Sequence, residues 1–297
     1  MIAVAALLGA ASCSNEEPTQ AGETTKVTFS TNLEGVMGSR AYGDGTTVDK
    51  VVFMAYDEAG NIIPGLTQRN VTLTGNTAVV NVQLVSGKTY NFAFFAYDSE
   101  SNYYNLNDLT KVGVVNPTEY AGNEEGRDAF CAAINNYVVN GNVSQNVTLR
   151  RPFAQINLIT KDLLQAEAAG LVAPAKVQMT ISNVCNTYNV LTGVASGSST
   201  VNVAQNIINA NESITIGGVA YGSKSYLSMN YILVPSTSSL VDCHIAIADN
   251  YGNAVSQFDA TSVPAKANYR TNIMGNFFTN PGQFDIVVDQ SFMPDAE

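Results

Sequence analysis

The sequence predicts an all-β protein of two tandem antiparallel β-sandwich domains, with one short helix in the second domain. Three observations predict this fold. Apolar and polar residues alternate over many short segments, turn residues separate those segments, and a length of 297 residues suits two domains. Only 13% of the residues are charged, whereas Val, Ile, Phe and Tyr are frequent, so the composition fits neither a disordered chain nor a long helix.

The first domain is predicted over residues 26–149. Its first strand shows clean alternation, and the segment that contains Phe94 is apolar nearly throughout, as in a central strand. Gly- and Asn-containing turns separate the strands, as at Asp57–Asn61. The predicted strands are Val27–Leu33, Val48–Tyr56, Val79–Leu84, Tyr90–Tyr97 and Val143–Leu149.

The second domain is predicted over residues 150–297. A short helix is predicted at Asp162–Ala169, because an acid stands at its start and Gly170 and Pro174 follow its end. The remaining segments alternate as strands do. They are Lys176–Val184, Ser213–Ile216, Tyr226–Val234, His244–Ala248 and Phe284–Val288.

The acidic balance and the single histidine exclude several classes of function. A net charge of −11 with a pI near 4.5 lacks the basic surface that binding to nucleic acid or to an anionic membrane requires. His244 stands beside Cys243 in a strand-like run, and no second ligand lies at metal-site spacing. We therefore interpret His244 as a strand histidine on a half-buried face.

Catalytic motifs are missing from the sequence. It contains no G-x-S-x-G, phosphate-binding loop, C-x-x-C or H-E-x-x-H motif. The neighbouring acids Glu124, Glu125 and Asp128 lie near glycines, where such residues are normally solvated. We expect no enzyme activity, no cofactor and no metal site.

Residues 1–12 have the pattern of a signal peptide. An uncharged apolar run ends in Ala-Ala-Ser before Cys13, which resembles a lipobox; the alternative is an ordinary signal with an incidental cysteine. The absence of Lys or Arg after Met1 suggests that translation starts upstream. Cys13 is the predicted lipidation site, and residues 13–25 the predicted acidic tether. Residues 14–17 resemble the export signal of surface-exposed Bacteroidetes lipoproteins, so we expect a location on the outer membrane.

Three cysteines remain if Cys13 carries lipid. They are Cys131, Cys185 and Cys243. Three thiols cannot all pair with each other, so we expect them to be buried and unpaired, although one bridge is compatible with the count.

Arg40 is the predicted protease cleavage site. It lies in a stretch with four glycines between two strands, where an exposed backbone invites proteolysis. Cleavage before Ala41 would remove the anchor, the tether and the first strand together. The product would contain residues 41–297, which is 297 − 40 = 257 residues.

Several segments together resemble the fimbrillins of Bacteroidetes, type V pilins of the major fimbrial subunit superfamily. The resemblance covers nearly the whole chain and includes the lipoprotein signal and the alternating first strand. The other segments that carry it are Arg40–Tyr42, Thr46–Tyr56, Arg127–Phe130, Leu149–Leu158, Asn268–Thr279 and Phe284–Asp289.

This resemblance implies an assembly mechanism. Two transthyretin-like domains are exported as a lipoprotein, and an arginine-specific protease removes the first strand. A strand from the C-terminal region of a neighbouring subunit then fills the groove, which is a form of strand addition. The expected partners are other fimbrial subunits, the protease, the outer membrane and a ligand on a host or bacterial surface. The processed form would reside in the fimbrium.

The resemblance also assigns residues to the two strands. The displaced strand is Val27–Leu33, in which Val27, Phe29 and Leu33 point inward. The candidate donor strand is Phe284–Val288. By alternation alone, Phe284–Val288 could equally be an ordinary last strand of the second sandwich.

The donor residues share one face of the predicted strand. They are Phe284, Ile286 and Val288, whereas Asp285 and Asp289 lie on the other face.

A monomeric, glycan-binding surface lipoprotein is the alternative function. The stretch Ser99–Asn107 offers the adjacent aromatics Tyr103 and Tyr104 together with amide and carboxylate groups for sugar hydroxyls. The chain has no Trp, the side chain best suited to stacking on sugars, which disfavours this alternative.

Overall fold

The computed structural model describes residues 22–35, 43–171, 175–206, 214–216, 219–221, 225–235, 239–280 and 282–289. The predicted signal peptide, the Cys13 lipidation site, most of the tether and the Arg40–Ala41 cleavage site lie outside these residues.

The predicted all-β fold is confirmed. The strands of the first half are β1 Thr24–Leu33, β2 Lys50–Tyr56, β3 Gln68–Thr72, β4 Thr77–Val85, β5 Thr89–Tyr97, β6 Tyr104–Asn105, β7 Val112–Val114, β8 Glu119–Ala121, β9 Phe130–Val138 and β10 Val143–Leu149. Those of the second half are β11 Phe153–Thr160, β12 Lys176–Val184, β13 Thr187–Asn189, β14 Val194–Ser196, β15 Ser199–Asn206, β16 Ile214–Ile216, β17 Val219–Tyr221, β18 Tyr226–Leu233, β19 Ser239–Ala248, β20 Ala254–Ala265, β21 Arg270–Gly275 and β22 Phe284–Asp289. Two short 3-10 turns lie at Pro64–Leu66 and Glu125–Arg127.

The predicted helix is confirmed as α1, Leu163–Ala168. It ends where Gly170 adopts a φ of 73°, a left-handed conformation that glycine takes without strain. Asp162 precedes the helix but does not cap it through its side chain. Its carboxylate instead accepts hydrogen bonds from the backbone N–H groups of Phe278 and Thr279, which ties the start of the helix to the segment after β21.

The first sandwich consists of two sheets that face each other. One sheet has the strand order β10-β1-β4 and the other β3-β2-β5-β9. Their inner faces share one hydrophobic core. Its aromatic members are Phe29, Phe53, Tyr90, Phe92, Phe94 and Phe130.

The second sandwich consists of sheets with the orders β18-β11-β21-β22 and β20-β19-β12-β15-β8. All eight residues of both β11 and β18 are buried, as expected for strands covered on both faces. A large core joins this sandwich to the back of the first one, because Met54 and Phe95 belong to the second core while their neighbours along the same strands belong to the first.

Short strands of the first half also pair with strands of the second half. β7 pairs with β13, and β8 pairs in parallel with β15 at the edge of the larger sheet. The predicted boundary at residue 149 falls between the sheets of the two sandwiches. The stretch Tyr104–Ala121, however, adds strands to the second half, so the two halves share both a core and hydrogen-bonded sheets.

β1 begins inside the segment predicted as tether. Thr24 and Thr25 already pair with Val85 and Leu84 of β4. Thr25 is buried, and its hydroxyl lies 2.8 Å from that of Ser86. Tertiary pairing therefore extends the strand into a polar stretch that alternation alone does not mark as a strand.

Candidate functional site: strand β1 and its groove

β1 is the middle strand of its sheet. It runs parallel to β10, with Val27 opposite Val143 and Leu33 opposite Leu149. On its other side it runs antiparallel to β4 over nine residue pairs. Without β1, β10 and β4 would lie on the two sides of an empty strand position, and each would present an unpaired backbone edge.

The inner face of β1 fills the core of the first sandwich, as predicted. Val27 and Phe29 have no exposed surface, and Leu33 is 6% exposed. Phe29 sits among four other rings, at centroid distances of 5.0 to 6.1 Å. These rings belong to Phe53, Phe92, Phe94 and Tyr137.

The outer face of β1 is polar and makes cross-strand hydrogen bonds. The Thr28 hydroxyl donates to the Asn81 side chain at 2.9 Å, and the Thr148 hydroxyl donates to the Asn32 side chain at 3.3 Å. The strand thus places its apolar residues, together with Thr25 and Thr31, on the core and its other polar residues toward solvent, so its register in the sheet is well specified.

The chain is fixed on both sides of the predicted cleavage site. Before it, the Glu34 N–H donates to the Leu149 carbonyl, and the Glu34 carboxylate lies 2.6 Å from Nε of Arg150. After it, the Gly43 N–H donates to a Glu125 carboxylate oxygen at 2.9 Å, and the Gly43 carbonyl accepts from Arg151 at 2.8 Å. Hydrogen bonds and an ion pair therefore hold the chain at Glu34 and at Gly43, the described residues on the two sides of Arg40 in the sequence.

Arg151 and Asp128 form a buried ion pair at the second fixed point. Two hydrogen bonds of 2.7 Å join them, and neither side chain is exposed. The guanidinium carbon also lies 4.2 Å from the centre of the Phe130 ring. Sequence reasoning missed this pair and interpreted Asp128 as a solvated acid. Arg151 lies two residues before β11, a strand buried on both faces, and this position is the signal that could have identified it.

Glu125 is the other acid that the sequence placed in solvent. It is half-buried, and the Tyr231 hydroxyl lies 3.4 Å from its carboxylate. Burial, followed by the charge of Asp128, raises the pKa of Glu125 to about 8. The interpretation of this acid as a solvated loop residue is therefore wrong.

The candidate donor strand β22 lies at the edge of the second sandwich. It pairs antiparallel with β21 alone, with Phe284 opposite Gly275. Phe284 and Ile286 pack against the core, whereas Val288 is 39% exposed although it was predicted to lie on the same inward face. A Cβ at Gly275 would lie 2.5 Å from the Gln283 carbonyl oxygen, so only glycine permits this close approach. In this chain β22 thus occupies the position of an ordinary last strand.

The two tyrosines of the predicted glycan loop have other partners. The Tyr103 hydroxyl donates to Glu124 at 2.7 Å, and the guanidinium of Arg127 lies 4.0 Å from the centre of the Tyr103 ring. The Tyr104 hydroxyl donates to the Arg127 carbonyl, and its ring packs against Phe95 and Phe153. The loop is therefore a packed turn.

His244 and the three cysteines make contacts within the protein. His244 lies on an exposed face of its sheet rather than on the predicted half-buried one, and its ring pairs with Asp259 at 2.6 Å. Cys131, Cys185 and Cys243 are free and buried, as predicted. In the part of the chain that the structure describes, no group of three or more acids, cysteines or histidines could hold a metal ion. Within the same residues, no helix is long and apolar enough to cross a membrane.

The sequence matches a family of unknown function, DUF6562, over residues 18–297. The chain belongs to this family. No curated protein matches this DUF6562 chain. Its fold is similar to that of a DUF1812 protein from Bacteroides thetaiotaomicron to which polysaccharide binding is ascribed. The TM-score is 0.55 at 13% identity, and the match covers 89% of this chain and 96% of that one.

Two further solved structures match this DUF6562 chain with TM-scores below 0.5. A Bacteroides ovatus protein ascribed to cell adhesion gives 0.49 at 13% identity, over 93% of this chain and 100% of that one. The fimbrial anchor protein Mfa2 from Porphyromonas gingivalis gives a TM-score of 0.46 at 11% identity, and the match covers 89% of this chain and 97% of that one. At 13% identity and a TM-score of 0.55, the comparison with the DUF1812 protein shows a shared fold.

Proposed function

We propose that this chain is a surface adhesion protein of the fimbrial-subunit kind. It is exported as a lipoprotein through Cys13, cut after Arg40 and joined to other subunits by strand exchange. The observation that carries the proposal is the position of β1, the middle strand of its sheet. All of β1 precedes the glycine-rich stretch that contains Arg40, so one cut separates this strand from the rest of the fold.

Loss of β1 would create a strong binding site for another strand. Burial of Val27, Phe29 and Leu33 stabilises the sandwich by roughly 1.5 to 3 kcal/mol each, on the order of 5 to 9 kcal/mol in total. Backbone hydrogen bonds to β4 and β10 add to this value, and the ordering of a free segment subtracts from it. A strand of similar pattern from another subunit would recover most of the lost free energy.

The names of the structural neighbours are consistent with this proposal. They include an anchor of fimbriae and proteins ascribed to cell adhesion and polysaccharide binding. A role in adhesion can include binding of a surface glycan. The loop with Tyr103 and Tyr104 does not favour a monomeric lectin, because both rings are occupied by protein contacts.

Limited digestion tests the proposal. The purified chain is treated with an arginine-specific protease, and the products are followed by light scattering and by denaturing gels without heating. We expect cleavage after Arg40 and growth of denaturant-resistant oligomers, whereas the Arg40→Gln variant remains monomeric. A cut chain that stays monomeric at high concentration would contradict the proposal.

A further inference from the structure

A cleft lies where the two sandwiches meet. Its volume is about 320 Å³, and it is lined by residues of β9, of the β10–β11 connection, of the β13–β14 hairpin and of the turn before β21. Six of these residues have aliphatic side chains, so the wall suits the apolar part of a small ligand. They are Ala132, Ala133, Pro152, Val190, Leu191 and Ala267.

A cation and a phenol also line the cleft. Arg150 lies at its rim, because its side chain is 68% exposed. Tyr188 lies deeper and is only 9% exposed. Cys131 lies between them, because its backbone exchanges hydrogen bonds of 2.8 and 2.9 Å with that of Arg150, and its sulfur lies 3.8 Å from the Tyr188 hydroxyl. The two polar groups are therefore neighbours in the cleft.

The Tyr188 hydroxyl makes only a weak hydrogen bond within the protein. In the part of the chain that the structure describes, its one partner is the Cys131 sulfur, which is a poor acceptor. Burial, followed by the proximity of Cys131, raises the pKa of Tyr188, so the phenol keeps its proton. A buried donor of this kind gains free energy when a ligand oxygen accepts its hydrogen bond.

Gly193 keeps the Tyr188 hydroxyl open to the cleft. Its φ is 67°, a conformation that other residues adopt with strain, and a Cβ at this position would lie 3.8 Å from the hydroxyl oxygen. A longer side chain would therefore crowd the hydroxyl. The turn is also fixed to the first sandwich, because the Asn135 side-chain amide donates to the Leu191 carbonyl at 2.8 Å.

The uncut chain already supplies a carboxylate to the cation of the cleft. A carboxylate oxygen of Glu34 lies 2.6 Å from Nε of Arg150. Because Glu34 precedes Arg40, a cut after Arg40 would take this carboxylate away together with β1. The guanidinium remains charged at all ordinary pH values, and its planar fork matches a carboxylate. The cation would then be available to the carboxylate of a ligand.

We propose that this cleft binds a small organic acid with a compact apolar body. The carboxylate pairs with Arg150 and accepts a hydrogen bond from Tyr188, and the apolar body lies against the aliphatic wall. In the uncut chain Glu34 competes for Arg150, so removal of β1 makes the site fully available. Only this last step rests on the proposed function, because the cleft itself is present in the uncut chain.

A neutral sugar fits the cleft less well than an apolar acid does. Among the described residues that line it, Tyr188 is the one aromatic residue, and its burial leaves no exposed ring face for stacking on a sugar. A sugar acid would present the same carboxylate on a polar body. The experiment therefore compares an apolar acid with a sugar acid.

Titration of the uncut Glu34→Ala chain tests the site. The probes are benzoate, its neutral analogue benzyl alcohol, and glucuronate, and binding is followed by amide chemical shifts. We expect benzoate to shift the amides of Ala133 and Gly193 and to bind at least about fivefold more tightly than the other two probes. Shifts elsewhere, or none, would overturn the site. Equal binding of benzyl alcohol would overturn the carboxylate contact, and tighter binding of glucuronate would overturn the apolar body.

The competition by Glu34 is tested without any cut. Benzoate should bind the Glu34→Ala chain about threefold to tenfold more tightly than the wild type. The matched control is Glu58→Ala, which removes an exposed acid that does not line the cleft and should change the affinity less than about twofold. Equal affinities of all three chains would overturn the competition. Failure of cleavage after Arg40 would contradict the proposed function but would leave this result standing.

Substitutions in the cleft test the assigned contacts. Arg150→Ala and Tyr188→Phe, each made in the Glu34→Ala chain, should weaken benzoate binding by at least about fivefold and about threefold, because each removes one contact with the carboxylate. Ala267→Leu keeps both polar groups but fills part of the cleft, so it should also weaken binding. Circular dichroism verifies that each variant is folded. Unchanged affinity in Arg150→Ala and in Ala267→Leu would overturn the proposal.

Discussion

At the scale of single residues, Phe29 dominates the contact between β1 and the rest of the first sandwich. It is the largest buried side chain of the strand, and it is surrounded by rings from β2, β5 and β9. The alternation of residues 27–33 predicted its inward position correctly. The ring cluster itself could not be predicted, because β2, β5 and β9 reach it from distant parts of the chain.

Phe29→Ala in the uncut chain is expected to lower the free energy of unfolding by about 3 to 5 kcal/mol, since it leaves a cavity among four rings. Ser30→Ala, on the outer face of the same strand, serves as the control and should change it by less than about 0.5 kcal/mol. Denaturant unfolding measures both values. Equal effects of the two substitutions would contradict the assignment of the inner face.

Glu125 is expected to make stability depend on pH. Its pKa in the folded protein, about 8, exceeds the ordinary value of 4.5, so the folded state favours the neutral carboxyl. Stability is therefore lost as the pH rises from about 5 to 8. Glu125→Gln should match the wild type at pH 5 and exceed it at pH 9 by about 2 kcal/mol, a value reduced for partial solvent access.

Thermal unfolding at several pH values measures this difference. Parallel pH profiles of the wild type and the Glu125→Gln variant would show that Glu125 titrates normally. The amide oxygen introduced by this substitution would still accept the hydrogen bond from Gly43, so a loss of stability at pH 5 is not expected.

At the scale of elements, strands with a regular apolar and polar alternation were predicted, and strands whose local sequence gives a weak signal were not. β10 and β12 have the predicted bounds. β15, with the sequence STVNVAQN, and β20, which contains Pro264, were missed. Polar residues and a proline weaken the local signal, and their pairing with β12 and β19 supplies what the local sequence lacks.

Two hairpin turns illustrate what a local signal can specify. The predicted turn Asp57–Asn61 and the turn Asp249–Asn253 share the spacing Asp-x-x-Gly-Asn, although only the first was predicted. In each, the Asp carboxylate accepts from the backbone N–H of the Asn at 2.8 Å. The side-chain amide of each Asn also donates to the same carboxylate, and these side-chain bonds, followed by the backbone bonds, lower the pKa of Asp57 and Asp249.

β1 acts as a separable element in the proposed mechanism. A synthetic peptide covering Gly22–Gly35 is therefore expected to fill the groove and reduce polymerisation of the cut chain when added in excess. The same peptide with Phe29→Ser should be a much weaker inhibitor, because it leaves the aromatic site empty. Sedimentation of the polymer measures the effect, and equal inhibition by both peptides would contradict a specific groove.

At the scale of the whole molecule, buried charges join the two sandwiches. Asp128 belongs to the first half and Arg151 to the second, and Arg151 also donates a hydrogen bond to the Gly43 carbonyl. Sequence analysis could not identify this junction, because charged residues near glycine and proline resemble surface loops. Their burial is a property of the packed halves rather than of either segment alone.

Asp128→Ala is expected to destabilise the protein by about 3 to 5 kcal/mol, because Arg151 would remain buried without its carboxylate. Asp285→Ala removes the exposed ion pair with Lys161 and should cost less than about 1 kcal/mol. Calorimetry of the two variants distinguishes them. A small effect of Asp128→Ala would show that the junction does not depend on this pair.

The N-terminus of the subunit in polymers taken from the cell surface tests the central claim most directly. Mass spectrometry of the purified polymer identifies that residue. The account predicts subunits that begin at Ala41 and lack the whole of β1. Polymers whose subunits retain residues 26–40 would contradict it.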